Sequence, residues 1–232
     1  MTAMTTANQL RGREIGSLFF AVFGALWIGL ALYIKEILTA ASLSLVVLDL
    51  TVLLGMAFWL LREAKRFPTV AEDPEKSRKF NCINIAQWIA VAIVAFSFAR
   101  LHIDAYVMCG ITAVVGLHFF PLARLFRYAL HYVTGSVLVT WAATSAILVP
   151  AEHLQGTSAL GTGIILWVSA FTTLCLAFTL ARRWTAVVAS AQGTGLSSLG
   201  TAFQVIQAPK PPLTFARAVL HRKGSRLYSG RP

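Results

Sequence analysis

Residues 37 to 79 read ILTAASLSLVVLDLTVLLGMAFWLL-REAKRFPTVAEDPEKSRK, a 25-residue apolar run from Ile37 to Leu61 followed by a segment with six Lys or Arg side chains. An apolar run of that length spans a hydrocarbon core of about 30 Å at about 1.5 Å per helical residue. Five more runs repeat the pattern: Ile15 to Tyr33, Phe80 to Phe98, Ala105 to Ala123, Tyr128 to Val149 and Leu160 to Ala181. The cations fall between them unevenly. With the N-terminus in the cytoplasm, 18 of the 20 Lys and Arg residues lie inside, and only Lys35 and Arg100 lie outside. The reverse orientation inverts that ratio, so the positive-inside rule predicts cytoplasmic termini at both ends.

The expected fold is therefore all-α, a six-transmembrane-helix bundle built from three helical hairpins. A cytoplasmic segment 1–14 precedes a membrane domain 15–181, and a basic, mostly disordered cytoplasmic tail follows over 182–232. Of the 232 residues, 57% are hydrophobic and 12% charged, with a mean hydropathy of +0.70. That leaves too little polar surface to cover a soluble globule. The net charge of +11 resides in loops and tail, where cations orient helices and meet anionic headgroups, so the charge does not indicate nucleic-acid binding. The expected partners are the lipid bilayer, anionic headgroups on the tail, and a second copy of the chain as a candidate homodimer.

Arg11 and Arg13 before the first run resemble a signal-peptide start, but no small-residue cleavage site precedes Lys35, and the run reads as a retained span. Cys82, Cys109 and Cys175 lie in spans without CxxC spacing and read as small buried hydrophobes. Offsetting the first hairpin by 61 residues onto the second matches 12 of 54 positions, among them Ala25 with Ala86, Ile28 with Ile89, Ala31 with Ala92, Thr51 with Thr112, Gly55 with Gly116 and Phe58 with Phe119. Both hairpins run in the same sense, so such a repeat would be related by an axis along the membrane normal. Ser136, Thr140 and Thr144 form a face of small hydroxyl residues suited to close helix packing.

Asp49 is the chemically conspicuous residue. It stands 12 residues from either end of its run, where an acid costs about 2.5 to 3.5 kcal/mol to insert. No Lys or Arg lies within any run to pair with it. Such a carboxyl must be protonated, bound to polar side chains or exposed to a water-filled cavity. Counted from the nearest internal cation, Asp49 lies about 20 Å up, Gln87 about 12 Å, His118 about 9 Å, Asn84 about 7 to 8 Å and His131 about 6 Å. Asn81, Asn84 and Gln87 share one helix side, and Pro121 predicts a kink that frees the carbonyl of Leu117. These positions outline a cytoplasm-facing polar vestibule lined by Asn84, Gln87, His118 and His131, with Asp49 at its closed end.

Outside, His102, Asp104, Glu152 and His153 have no ligand spacing beyond His-x-Asp and Glu-His, and they read as polar loop residues, not a metal site. Gly156 to Gly163 reads as a small-residue turn before the sixth helix. The sequence contains no HExxH, no GxSxG and no phosphate-cradling glycine loop. No catalytic, metal or cofactor site is expected.

The stretch Gly116-Leu-His118-Phe-Phe-Pro121-Leu-Ala-Arg124-Leu-Phe-Arg127, with His131-Tyr-Val-Thr134-Gly135 after it, resembles a segment of small multi-span bacterial membrane proteins of no assigned function. That resemblance, over residues 116–135, implies a bacterial inner membrane and nothing catalytic. Two roles are consistent with the sequence: a structural, interaction or scaffold protein without enzymatic activity, or a small-solute or proton-coupled permease using Asp49.

Overall fold

A computed structural model describes residues 3–64 and 74–193. Among these residues every regular element is a helix: α1 (Ala3–Ile34), α2 (Ala40–Ala64), α3 (Pro74–Arg100), a 3-10 turn (Asp104–Tyr106), α4 (Val107–Phe126), α5 (Ala129–Leu148) and α6 (Ala151–Gly193). The described residues up to Arg182 form one compact unit. The tail boundary drawn at 182 falls inside α6, which is helical to Gly193; residues 194–232, and the expectation made for them, lie outside the described residues.

Five helices are long and apolar enough to cross a membrane, through Gly16–Ile34, Ala40–Arg62, Pro74–Arg100, Asp104–Phe126 and Ala151–Leu180. Helix α5 is not among them. At 20 residues it has the length, but His131, Thr134, Ser136, Thr140, Thr144 and Ser145 dilute its apolar character. The structure places the polar members His131, Thr134 and Ser145 on the buried side of α5.

The helix ends explain the short connections. Thr39 caps α2 through a reciprocal pair: the Ser42 N–H donates to Thr39 Oγ1 at 3.1 Å, and the Thr39 N–H donates to Ser42 Oγ at 2.8 Å. Helices α1, α3 and α4 each end on a left-handed residue, Glu36, His102 and Arg127, with φ of 57, 56 and 50°. In each, the next N–H reaches back five residues: Ile37 to Leu32 O at 3.0 Å, Ile103 to Phe98 O at 3.0 Å and Tyr128 to Ala123 O at 3.1 Å. This is the Schellman stop with side chains where glycine is usual.

α1 packs along α2, and α4 along both α3 and α5. Reciprocal glycine crossings bring α4 close to α5 and α1 close to α6. Between α4 and α5, a Cβ on Gly116 would stand 2.9 Å from Gly135 O, and one on Gly135 would stand 2.7 Å from Gly116 O. Between α1 and α6, a Cβ on Gly163 would stand 2.9 Å from Gly24 O. Backbones in contact at small residues are the usual membrane solution, since lipid supplies no hydrophobic drive between helices. Gly156 to Gly163 is thus not a turn: it lies inside α6, where Gly156 and Gly163 are buried packing positions. The reason is tertiary. Gly156 receives the Lys35 stem, and Lys35 Nζ donates to Thr157 Oγ1 at 3.2 Å.

Hydroxyls knit the interior together. Thr112 Oγ1 lies 2.8 Å from Thr162 Oγ1 and 3.4 Å from Ser158 Oγ, Thr134 Oγ1 lies 3.0 Å from Ser169 Oγ, and Cys109 Sγ lies 3.5 Å from Ser145 Oγ. Trp167 Nε1 donates to Ala21 O at 3.0 Å and Trp141 Nε1 to Ser158 O at 3.2 Å. The packing face expected at Ser136, Thr140 and Thr144 is instead exposed, because α5 turns His131, Thr134, Gly135, Leu138, Ala142 and Ser145 inward.

Candidate functional site

The Schellman stop at Arg127 folds α5 back against α4, and this brings His131 beside Phe119. Phe119 lies between two imidazoles, stacked on His131 with centroids 5.8 Å apart and edge-on to His118 at 5.9 Å. Around His131 stand Tyr128 at 5.0 Å, Phe20 of α1 at 5.8 Å and Phe126 at 6.4 Å, all edge-on. The ring is 9% exposed. Helix α1 reaches the cluster because Phe20 belongs to its inward stripe of Ser17, Phe20, Ala21, Ala25, Ile28 and Ala31. The Nδ1 atoms of both His118 and His131 are buried without a hydrogen-bond partner. A buried polar atom left so costs about 1 to 3 kcal/mol.

The chain matches no known protein family, no curated protein and no solved structure.

Of the five residues expected around a vestibule, the structure brings His118 and His131 together about Phe119. Asn84 and Gln87 are half-buried on α3, the helix whose Ile83 backbone meets the His118 ring. Asp49 is elsewhere in character: it is exposed on α2. The inward seam of α2 is Val46, Leu50, Leu53, Ala57 and Leu60, and Asp49 sits beside that seam, not in it. The expectation of Asp49 as the closed end of an interior vestibule places it inside the single chain, whereas the structure places it on the outside. Helix α4 continues through Pro121 to Phe126, and Leu117 is exposed.

Two shallow apolar grooves of about 370 and 290 Å³ mark the surface, the first among Phe98, Ile103, Tyr106, Cys109, Gly110 and Ala146, the second among Gly55, Met56, Trp59, Leu60 and Phe178. None of the five polar residues lines either groove. Among the described residues no three His, Cys, Asp or Glu side chains gather as metal ligands. His102 and Asp104 lie between α3 and α4, Glu152 and His153 lie in the first turn of α6, and the two segments are joined by Gln155 Nε2 donating to Asp104 O at 2.8 Å.

The hydroxyl ladder of α6 escaped the sequence reading. Ser158, Thr162, Ser169 and Thr173 are buried at spacings of 4, 7 and 4, and the latter three each donate to the carbonyl four residues back. That spacing was the available signal, since it keeps all four on one helix face.

Proposed function

We propose that the chain is a six-span membrane protein of the bacterial inner membrane, both termini cytoplasmic, with a structural, interaction or scaffold role and no enzymatic activity. The observation that carries this reading is Asp49. Ionisable side chains within membrane helices almost always face the bundle interior or a watered cavity. Asp49 stands mid-way along α2, a helix long and apolar enough to cross a membrane, and is exposed. An acid there belongs to an interface that the single chain does not complete by itself. The filled interior agrees: backbone touches backbone at the glycine crossings, and hydroxyls bond to hydroxyls. The basic tail adds cytoplasmic cations for anionic headgroups, at about 1 kcal/mol for each one close to the surface; nucleic acid has no part in this reading.

A permease remains the second reading, favoured by the two imidazoles with unpartnered Nδ1 atoms near the α4–α5 turn. Proton flux into proteoliposomes under an imposed pH gradient separates the two. The interaction reading expects no flux with wild type and none with Asp49→Asn, at equal amounts of folded protein. Flux in the wild type that disappears in Asp49→Asn would replace it with the permease.

A further inference from the structure

Helix α2 carries two seams side by side. The inward one, Val46, Leu50, Leu53, Ala57 and Leu60, steps by 4, 3, 4 and 3 residues and packs into the chain's own core. The second is offset by a single residue, Leu45, Asp49, Val52, Met56 and Trp59, with the same steps. It is uncovered over its first three positions, where Leu45 is 68% and Val52 51% exposed and Asp49 is exposed, while Met56 packs partly on the core and Trp59, 46% exposed, leans on Phe178 of α6 with ring centroids 5.3 Å apart. Alternating steps of four and three are the spacing of a helix that packs lengthwise on another. One polar residue in an otherwise apolar seam is the device that fixes register and partner number, at a cost in stability.

The occupant follows from what must meet Asp49. No other Asp, Glu, Lys or Arg lies within any apolar run of this chain, so the only carboxylic acid or strong base that a run can offer Asp49 is Asp49 of another molecule. A two-fold axis along the membrane normal sets like layers against like, so it places the two carboxyls at the same depth by symmetry. At the far end of the seam, the groove of about 290 Å³ lined by Gly55, Met56, Trp59, Leu60 and Phe178 offers a recess for an apolar side chain of the neighbour. We infer that a second copy of this chain packs in parallel along Leu45, Asp49, Val52, Met56 and Trp59, with the two Asp49 carboxyls hydrogen-bonded to one another through a proton carried by at least one of them. This rests on the interaction reading above and names its partner.

Single cysteines test it in native membranes, in a Cys82→Ser background because Cys82 is exposed. Leu45→Cys and Val52→Cys lie on the seam. Leu43→Cys and Val47→Cys lie on the other flank of α2, at 49% and 53% exposure, and serve as equally accessible controls. Under mild oxidation the seam cysteines are expected to form disulfide-linked dimers several-fold faster than the flank pair. Equal rates, or no dimer from either seam position, overturn the proposal. The mass of the unmodified particle in lipid nanodiscs then tells the two failures apart. A particle heavier than one chain without seam cross-links refutes pairing along this seam and leaves the interaction reading standing; a particle of one chain alone refutes both.

Discussion

Adding one methyl group at Gly135 should loosen the α4–α5 pair. The new Cβ would stand 2.7 Å from Gly116 O, 3.1 Å from Phe119 Cβ and 3.3 Å from a Phe120 ring carbon. The nearest of these is backbone and cannot rotate away, so the helices must part by some tenths of an ångström. That separation also lengthens contacts around the His131 ring, which stacks on Phe119 one turn along. Overpacking of this kind costs about 1 to 3 kcal/mol, against a helix-propensity gain from Gly to Ala of up to about 1 kcal/mol. Gly29→Ala supplies the control, because nothing lies within 4 Å of its added Cβ. Thermal unfolding in detergent, followed by circular dichroism, should show Gly135→Ala melting below wild type and Gly29→Ala at or above it. Equal melting of the two variants would refute the claim that glycine crossings set the helix spacing.

Thr112→Val removes the hydroxyl shared with Thr162 and Ser158 and should lower stability in the same assay by about 0.5 to 2 kcal/mol; an unchanged midpoint would mean the ladder contributes nothing net. His131→Phe keeps an aromatic ring in the cage while deleting the unpartnered Nδ1, so it should be neutral or stabilising by about 1 kcal/mol, whereas a clear loss would show that a ligand or water satisfies that atom. His102→Gly relieves a left-handed side-chain residue and should raise the midpoint by an amount worth at most about 1 kcal/mol; a drop would mean the His102 side chain is needed at that turn.

The helices were legible in the sequence because a hydrocarbon core imposes a length that apolar runs display, and all six runs became helices. Which face each helix buries was not legible. The offset of 61 residues makes the point: Ala25, Ile28 and Ala31 are buried in α1, while their counterparts Ala86, Ile89 and Ala92 are exposed in α3. Along the partner helices the sense reverses, with Thr112, Gly116 and Phe119 buried and Thr51, Gly55 and Phe58 exposed. Matching residues occupy opposite environments because burial depends on which helix lies alongside, and α5 and α6 cover α4 and α1 but not α2 and α3 through those positions. In a membrane the outward face is apolar too, so hydropathy does not separate lipid-facing from core-facing sides as it does in water. The same limit applies to the site: the nearness of His118 to His131 needs the Arg127 stop, and left-handed Glu36, His102 and Arg127 have no glycine to announce them.

The six-span topology proposed above depends on α5 crossing the membrane, which alone puts both termini on one side. Single cysteines at the two ends of α5 settle this most directly: Arg127→Cys and Glu152→Cys, labelled in intact cells by a membrane-impermeant maleimide. Six spans with cytoplasmic termini require Glu152→Cys to label from outside and Arg127→Cys only after lysis. Labelling of both from the same side would contradict the topology and the account built on it.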